Sequence, residues 1–208
     1  MKLKSTGTFV FLMMLAMHSF GQYTSPKTSL FFPLGYTFDD RVQLDDFSTR
    51  IEGGFQFGGG LEFFTSPNKS LDISYQYMAT TMPLYGITGN QLNKGNEDGS
   101  VQYILMNGNN YFASKGNKIP YIGGGAGVGI TNTDGQSSAA FAFNFKAGVK
   151  IASQKTLALK LQAYIQGMTG VFGADYWTSG SGTTVVPDRA TILQFGLGGV
   201  VCFDFRGK

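Results

Sequence analysis

The stretch Leu71-Asp72-Ile73-Ser74-Tyr75-Gln76-Tyr77 decides the fold class of this chain. Its large apolar side chains occupy every second position, and polar side chains fill the positions between them. An α-helix would mix the two sets around its circumference, whereas successive side chains of a β-strand point to opposite faces. The stretch therefore predicts a β-strand with one apolar face and one polar face.

The same alternation recurs along the chain and predicts eight strands. It is clearest in residues 55–63, 71–77, 143–151, 157–166 and 193–205, and weaker in residues 29–38, 100–112 and 119–130. Pro33 lacks a backbone N–H group, so it predicts a bulge in the first of the weaker segments. After Gln22 there is no apolar run of about 18 residues, the length that would indicate a transmembrane helix.

The connections between these segments alternate in length. Residues 65–69, 113–118 and 153–155 are short, whereas residues 39–53, 82–99, 131–138 and 169–189 are mostly longer. Short turns at one end and long loops at the other are typical of outer-membrane barrels. We therefore predict an all-β fold, an eight-stranded antiparallel up-and-down transmembrane β-barrel. A secreted soluble barrel or sandwich is the alternative, but its outer face should carry many charges, and only 14% of this chain is charged.

The first 21 residues have the features of a secretory signal peptide. Lys2 and Lys4 precede an apolar run at residues 9–17, which is too short to span a bilayer as a helix. Small residues before Gln22 predict cleavage there, so that residues 22–208 form the barrel domain; an uncleaved anchor helix is the alternative. Cleavage would leave 14 basic residues against 13 acidic ones, a balance that does not indicate nucleic-acid binding.

Three glycine-rich and aromatic stretches, together with the last strand, carry a family resemblance. They are GFQFGGGLE at residues 54–62, PYIGGGAG at residues 120–127, FKAGVK at residues 145–150, and residues 193–205. They resemble the small outer-membrane barrels that include OmpX and the N-terminal domain of OmpA, in the form common among Bacteroidetes. The resemblance implies an integral protein of the bacterial outer membrane. It also implies that Val201, Phe203 and Phe205 form the signal read by the barrel-assembly machinery, although Arg206-Gly207-Lys208 follows them.

No set of residues after the signal peptide indicates catalysis, a cofactor or a metal ion. The single histidine is His18, inside the predicted signal peptide, so a general base would have to be a carboxylate or a lysine with a shifted pKa. The glycine run at residues 123–129 lacks the spacing of a nucleotide-binding loop. The four aspartates of residues 39–46 lack the spacing of a calcium loop, so we interpret them as a solvated acidic loop. We expect a non-enzymatic protein.

Six charged residues belong to the polar, inward faces of the predicted strands. They are Glu62, Asp72, Lys146, Lys150, Lys160 and Asp204. Unpaired charges are costly in a confined interior, so we expect these six to form ion pairs. The preferred interpretation is a salt-bridged plug that stabilises the barrel, and the alternative is a gate.

The favoured function is a structural or interaction role at the cell surface, because loops on a rigid scaffold commonly carry binding. Phe172, Tyr176 and Trp177 are the candidate contact residues, with the outer interfacial girdle as their alternative role. The alternative functions are a narrow transport barrel for small solutes or hydrophobic molecules, and an accessory subunit of a larger outer-membrane assembly. The expected partners are outer-membrane lipid and lipopolysaccharide, the barrel-assembly machinery during biogenesis, and an outer-membrane or extracellular protein, with no nucleic acid.

Overall fold

The structure is a computed structural model that describes most of the chain after residue 25. The described residues are 26–43, 47–86, 90–91, 93–95, 98–112, 114, 116–133, 136–152, 156–172 and 188–205. Within these ranges, no helix is long and apolar enough to cross a membrane.

The described chain forms eleven β-strands. In chain order they are β1 (Thr28–Thr37), β2 (Asp40–Gln43), β3 (Phe47–Ile51), β4 (Gly54–Ser66), β5 (Lys69–Thr81), β6 (Leu84–Gly86), β7 (Asp98–Tyr111), β8 (Lys118–Thr133), β9 (Gln136–Ala152), β10 (Leu157–Phe172) and β11 (Asp188–Phe205).

Eight of the strands close into a barrel in the order β1-β11-β10-β9-β8-β7-β5-β4. Each is antiparallel to both neighbours, and the pairing of β1 with β11 and with β4 leaves no open edge. The predicted eight-stranded antiparallel barrel is therefore confirmed. We call the end that holds residues 67–68, 112–117 and 153–156 the turn end, and the opposite end the loop end.

The two faces of the wall differ sharply in polarity. On β4, Phe57 points outward with 54% of its surface exposed, whereas Glu62 points inward and is 0% exposed. Exposed phenylalanine, leucine, isoleucine and valine side chains form a band around the outside, while serine, asparagine, glutamine and charged side chains lie buried inside. A soluble barrel has the reverse arrangement, so this alternation follows the pattern of barrels that face lipid.

Three connections differ from the expected plan. Strands β8 and β9 continue until Thr133 pairs with Gln136, so the predicted loop at residues 131–138 is a tight hairpin. Its threonine and serine side chains indicated a loop, but ladder hydrogen bonds join backbone groups and do not depend on side-chain polarity. The predicted loops 39–53 and 82–99 contain β2, β3 and β6, which form a separate three-stranded sheet.

Pro33 causes no bulge. It lies opposite Val200 in an unbroken ladder with β11, and the ladder with β4 keeps one register on both sides of it. A missing N–H group removes a hydrogen bond without requiring an extra residue, so the predicted bulge is wrong.

Glycines at two inward positions provide space for aromatic rings. Gly196 lies directly opposite Tyr164, and Gly60 lies directly opposite Phe31. A Cβ atom at either glycine would overlap the facing ring. The narrow lumen is thus filled by pairing a large side chain with an absent one across adjacent strands.

Candidate functional site: the barrel interior

The six charged residues expected in the lumen all lie inside the turn-end half of the barrel. They form three ion pairs that join non-adjacent strands and therefore cross the lumen. Lys160 Nζ lies 2.8 Å from Glu62 Oε2, Lys146 Nζ lies 2.7 Å from Asp72 Oδ2, and Lys150 Nζ lies 2.8 Å from Asp204 Oδ2.

Glu62 is the most fully coordinated of the three carboxylates. Besides its ion pair with Lys160, it accepts hydrogen bonds from the Ser70 hydroxyl at 2.5 Å, the Tyr111 hydroxyl at 2.5 Å and the Asn109 amide at 3.2 Å. Four donors on a buried carboxylate offset much of the cost of removing its charge from water. Glu62 therefore holds four strands of the wall together.

Aromatic rings surround the ammonium group of Lys160. Its Nζ lies 5.7 Å from the ring centroid of Phe31, 5.4 Å from that of Tyr111 and 5.3 Å from that of Tyr121. The faces of these rings attract a cation, and the attraction strengthens where water is excluded. The ammonium group is thus held by one carboxylate and by several aromatic rings at once.

Asp72 extends this network toward the middle of the lumen. It accepts hydrogen bonds from Lys146 at 2.7 Å, from the Asn107 amide at 2.6 Å and from the Asn109 amide at 2.8 Å. Asn109 therefore bridges the carboxylates of Asp72 and Glu62. Beside this network lies a polar cavity of about 20 Å³, which is room for about one water molecule.

A layer of amides and hydroxyls crosses the middle of the lumen. Gln56 Oε1 accepts hydrogen bonds from the Thr37 hydroxyl at 2.7 Å and from the Gln166 amide at 3.0 Å. The Gln56 amide donates to Gln76 at 2.5 Å, and the Tyr164 hydroxyl lies 2.9 Å from that of Thr37. These side chains come from four different strands and fill the space between the walls.

The loop-end half of the lumen is apolar, which the sequence interpretation missed. Its buried side chains form one cluster: Ile51, Met78, Val101, Tyr103, Leu105, Ala142, Met168 and Ile192. Seven of these belong to the barrel wall, and Ile51 belongs to β3 of the small sheet. Alternation on β7 does contain the signal, because Val101, Tyr103 and Leu105 share the inward face with Asn107.

Ile51 closes this apolar chamber at the loop end. Only 2% of its surface is exposed, and backbone hydrogen bonds fasten the residues beside it. Arg50 N donates to Pro83 O at 3.3 Å, and Glu52 N donates to Thr81 O at 3.0 Å. Strand β3 therefore places the apolar side chain of Ile51 over the loop-end opening of the chamber.

A salt bridge outside the barrel wall also holds β3, and with it Ile51, in position. Asp39 pairs with the Arg50 guanidinium and accepts a hydrogen bond from Gly53 N at 2.8 Å. The hydrogen bond from Arg50, followed by that from Gly53, holds the pKa of the Asp39 carboxyl below its ordinary value. We call Asp39, Arg50 and Gly53 the clasp. The neighbouring Asp40 carboxylate accepts a hydrogen bond from Leu193 N at 2.7 Å, so these two aspartates of the predicted acidic loop have structural partners.

Two solved outer-membrane proteins share this architecture. Neisserial surface protein A is 11% identical, with a TM-score of 0.61 over 88% of this chain and 100% of that chain. The outer membrane protein OprG from Pseudomonas aeruginosa is 8% identical, with a TM-score of 0.58 over 89% of this chain and 100% of that chain. The chain has the fold of the small outer-membrane β-barrels. In sequence, no protein-family model matches it, and no curated protein does.

The other predicted site residues of this small outer-membrane barrel fold belong to β10, to β11 and to the connection between them. The end of β11 carries three outward side chains, Val201, Phe203 and Phe205. Their role in assembly stays a prediction. Phe172 ends β10 opposite Asp188, while its side chain and the whole of Tyr176 and Trp177 lie outside the described residues. Among the residues that are described, no three His, Cys, Asp or Glu side chains form a possible metal site.

Proposed function

We propose that this protein is an integral outer-membrane barrel that is closed to solutes, catalyses no reaction and acts through its loop end. The observation that carries the proposal is the filled interior. From the turn end to the loop end, three ion pairs, an amide layer and an apolar cluster succeed one another across the lumen. The cavity of about 20 Å³ is too small for a solute larger than water.

The outward apolar band supports the placement in a membrane. The exposed phenylalanine, leucine and isoleucine side chains on the outward face of the barrel strands are 39–71% exposed, an arrangement that water would disfavour. We infer that lipid covers this band, with the turn end in the periplasm and the loop end outside the cell. The six interior charges then need no contact with bulk water, because they are paired.

The loop end supports an interaction role. The small sheet β2-β3-β6 stands above the barrel mouth. At the same end, β10 ends at Phe172 and β11 begins at Asp188, and a long connection joins them. A rigid barrel that holds such segments in place is suited to present them to a partner. Phe172, Tyr176 and Trp177 are the residues that we propose for that contact, with an outer-membrane or extracellular protein as the partner.

Bilayer recording tests whether the barrel is closed. The protein is folded into vesicles, its insertion is checked by a difference in gel mobility between boiled and unboiled samples, and the same vesicles are fused with a planar bilayer. We expect a mobility difference without discrete current steps. Current steps from most inserted molecules would contradict the closed barrel and support the transport alternative.

A matched pair of cysteine variants tests the orientation. Asn68 is exposed at the turn end and Lys94 is exposed at the loop end, while the natural Cys202 is buried inside. In a Cys202→Ala background, a maleimide too large to cross the outer membrane should label Lys94→Cys on whole cells. Asn68→Cys should react only after the cells are permeabilised. The opposite pattern would reverse the proposed orientation.

A further inference from the structure

The two ends of the barrel carry opposite charge. At the turn end, Lys27, Lys69 and Lys118 are exposed, and no exposed side chain among the described residues of that end is acidic. The connections there add Lys115 and Lys155 and no acidic residue. The four connections at the loop end hold eight acidic residues and three basic ones. Because the six interior charges form pairs, this separation is a property of the two rims.

The exposed lysines of the turn end are spread over five neighbouring strands of the eight-stranded barrel. Lys27 immediately precedes β1, Lys69 begins β5 and Lys118 begins β8. In the wall order β1-β4-β5-β7-β8, one strand separates each lysine-bearing strand from the next. We call these three residues the lysine collar. A single small anion could contact one of them, whereas a surface that encircles the barrel could contact all three.

Two of the collar lysines adjoin the outward apolar band. Lys69 shares the outward face of β5 with Leu71, and Lys118 shares the outward face of β8 with Ile122. A lysine at such a boundary lays its aliphatic stem along the apolar surface and extends its ammonium group into the polar layer. In a bilayer, that layer contains the lipid phosphates, which attract basic side chains near the surface.

We propose that the lysine collar binds the phosphates of anionic phospholipids in the periplasmic leaflet and enriches them around the barrel. The proposal rests on the proposed function, which places the turn end in that leaflet. Charge complementarity selects this partner, since the collar is basic and the opposite, acidic rim would repel anionic headgroups. The spread of the lysines along five strands of the rim favours a lipid layer over a single soluble anion.

Lipid selectivity of the folded protein tests the collar. The full barrel is reconstituted in phosphatidylcholine with a trace of spin-labelled phosphatidylglycerol or spin-labelled phosphatidylcholine, and the fraction of each label immobilised at the protein surface is measured. The variants are Lys69→Gln and the triple variant Lys27→Gln, Lys69→Gln and Lys118→Gln. Lys94→Gln, an exposed lysine of the loop end, is the matched control. Unchanged gel mobility of unboiled samples shows that each variant is folded.

We expect wild type to prefer phosphatidylglycerol, and 1 M salt to abolish that preference. The preference should fall by about 1.4- to fivefold at each site, as for exposed ion pairs, so the triple variant should lose it. Lys94→Gln should retain the wild-type value. An inserted wild type without preference, or an equal loss in Lys94→Gln, would overturn the collar and leave the proposed function standing.

Two further outcomes are distinct from these. Failure of the wild type to insert, seen as identical mobility of boiled and unboiled samples, would contradict the proposed function itself. Binding of polyphosphate to the barrel in pure phosphatidylcholine, without a preference for phosphatidylglycerol, would assign the collar to a soluble anion and overturn the assignment to lipid.

Discussion

Replacing Lys160 by methionine should destabilise the barrel by about 3–5 kcal/mol, the usual cost of removing one partner of a buried ion pair. Methionine keeps an apolar stem of similar length and removes the ammonium group with its charge and its hydrogen-bond donors. Lys160 and Glu62 are 4% and 0% exposed, so little water can reach the carboxylate that is left behind. Ser70, Tyr111 and Asn109 would still donate to Glu62, which favours the lower part of that range.

Two companion variants separate the charge effect from a packing effect. Combining Lys160→Met with Glu62→Gln removes both charges and should bring stability back to within about 1 kcal/mol of wild type, because a pair replaced together leaves no isolated charge. Lys146→Met should cost less, about 1–3 kcal/mol, since the Lys146 side chain is 11% exposed and the carboxylate left behind, Asp72, lines the water-sized cavity, whereas Glu62 does not.

Equilibrium unfolding by guanidinium in lipid vesicles, followed by gel mobility, measures these free energies. Single-channel recording of the same samples separates a plug from a gate. A plug predicts an unstable Lys160→Met that conducts little. A stable variant with increased current would refute the plug, and a variant unchanged in both measurements would show that water already solvates the pair.

Three other perturbations test the remaining parts of the fold. Phe145→Arg places a charge in the outward band near the middle of β9 and should cost about 2–4 kcal/mol in bilayers, whereas Phe145→Leu should be close to neutral in the same unfolding assay. Gly196→Ala should cost about 1–3 kcal/mol by overpacking against Tyr164, and Tyr164→Phe should not relieve it. The clasp stabilises the folded state above the ordinary Asp pKa of about 3.9 and loses that contribution as pH falls through the lowered pKa of Asp39. Acidification should therefore lower the hydrogen-exchange protection factors of residues 50–53, which are measured relative to the intrinsic exchange rate at each pH, and Asp39→Asn, weakly protected at every pH, should remove that response.

The positions of the strands could be predicted because the two faces of each strand lie in different environments and carry different side chains. Residues 71–77 alternate between side chains for the outside and side chains for the interior, and a period of two identifies a strand without any knowledge of its neighbours. The same parity placed Glu62, Asp72 and Lys160 inside. Their pairing could be expected in general terms, because a charge in a narrow interior needs a partner.

Local patterns failed where strands and loops depend on distant contacts. Residues 131–138 carry polar side chains on both faces, yet the backbone ladder between β8 and β9 extends as far as Thr133 and Gln136. The strands β2, β3 and β6 are short, and their sheet joins two loops that are distant in sequence. The residues next to Ile51 in the sequence do not indicate that it closes an apolar chamber. The other residues of that chamber are distant in the chain, as far as Ile192.

By itself, the sequence determined that the chain alternates in period two, divides into eight barrel strands, and carries polar residues toward one face and apolar residues toward the other. Only the tertiary structure decided which lysine meets which carboxylate. That choice depends on the relative register of strands that are not neighbours, so Lys160 meets Glu62 across 98 positions of the chain. The tertiary structure also decided that the lumen is polar in one half and apolar in the other, because closure brings Met78, Tyr103 and Met168 to one level. Alternation identifies the face on which a side chain lies, whereas the side chain opposite it is set by how the sheet closes.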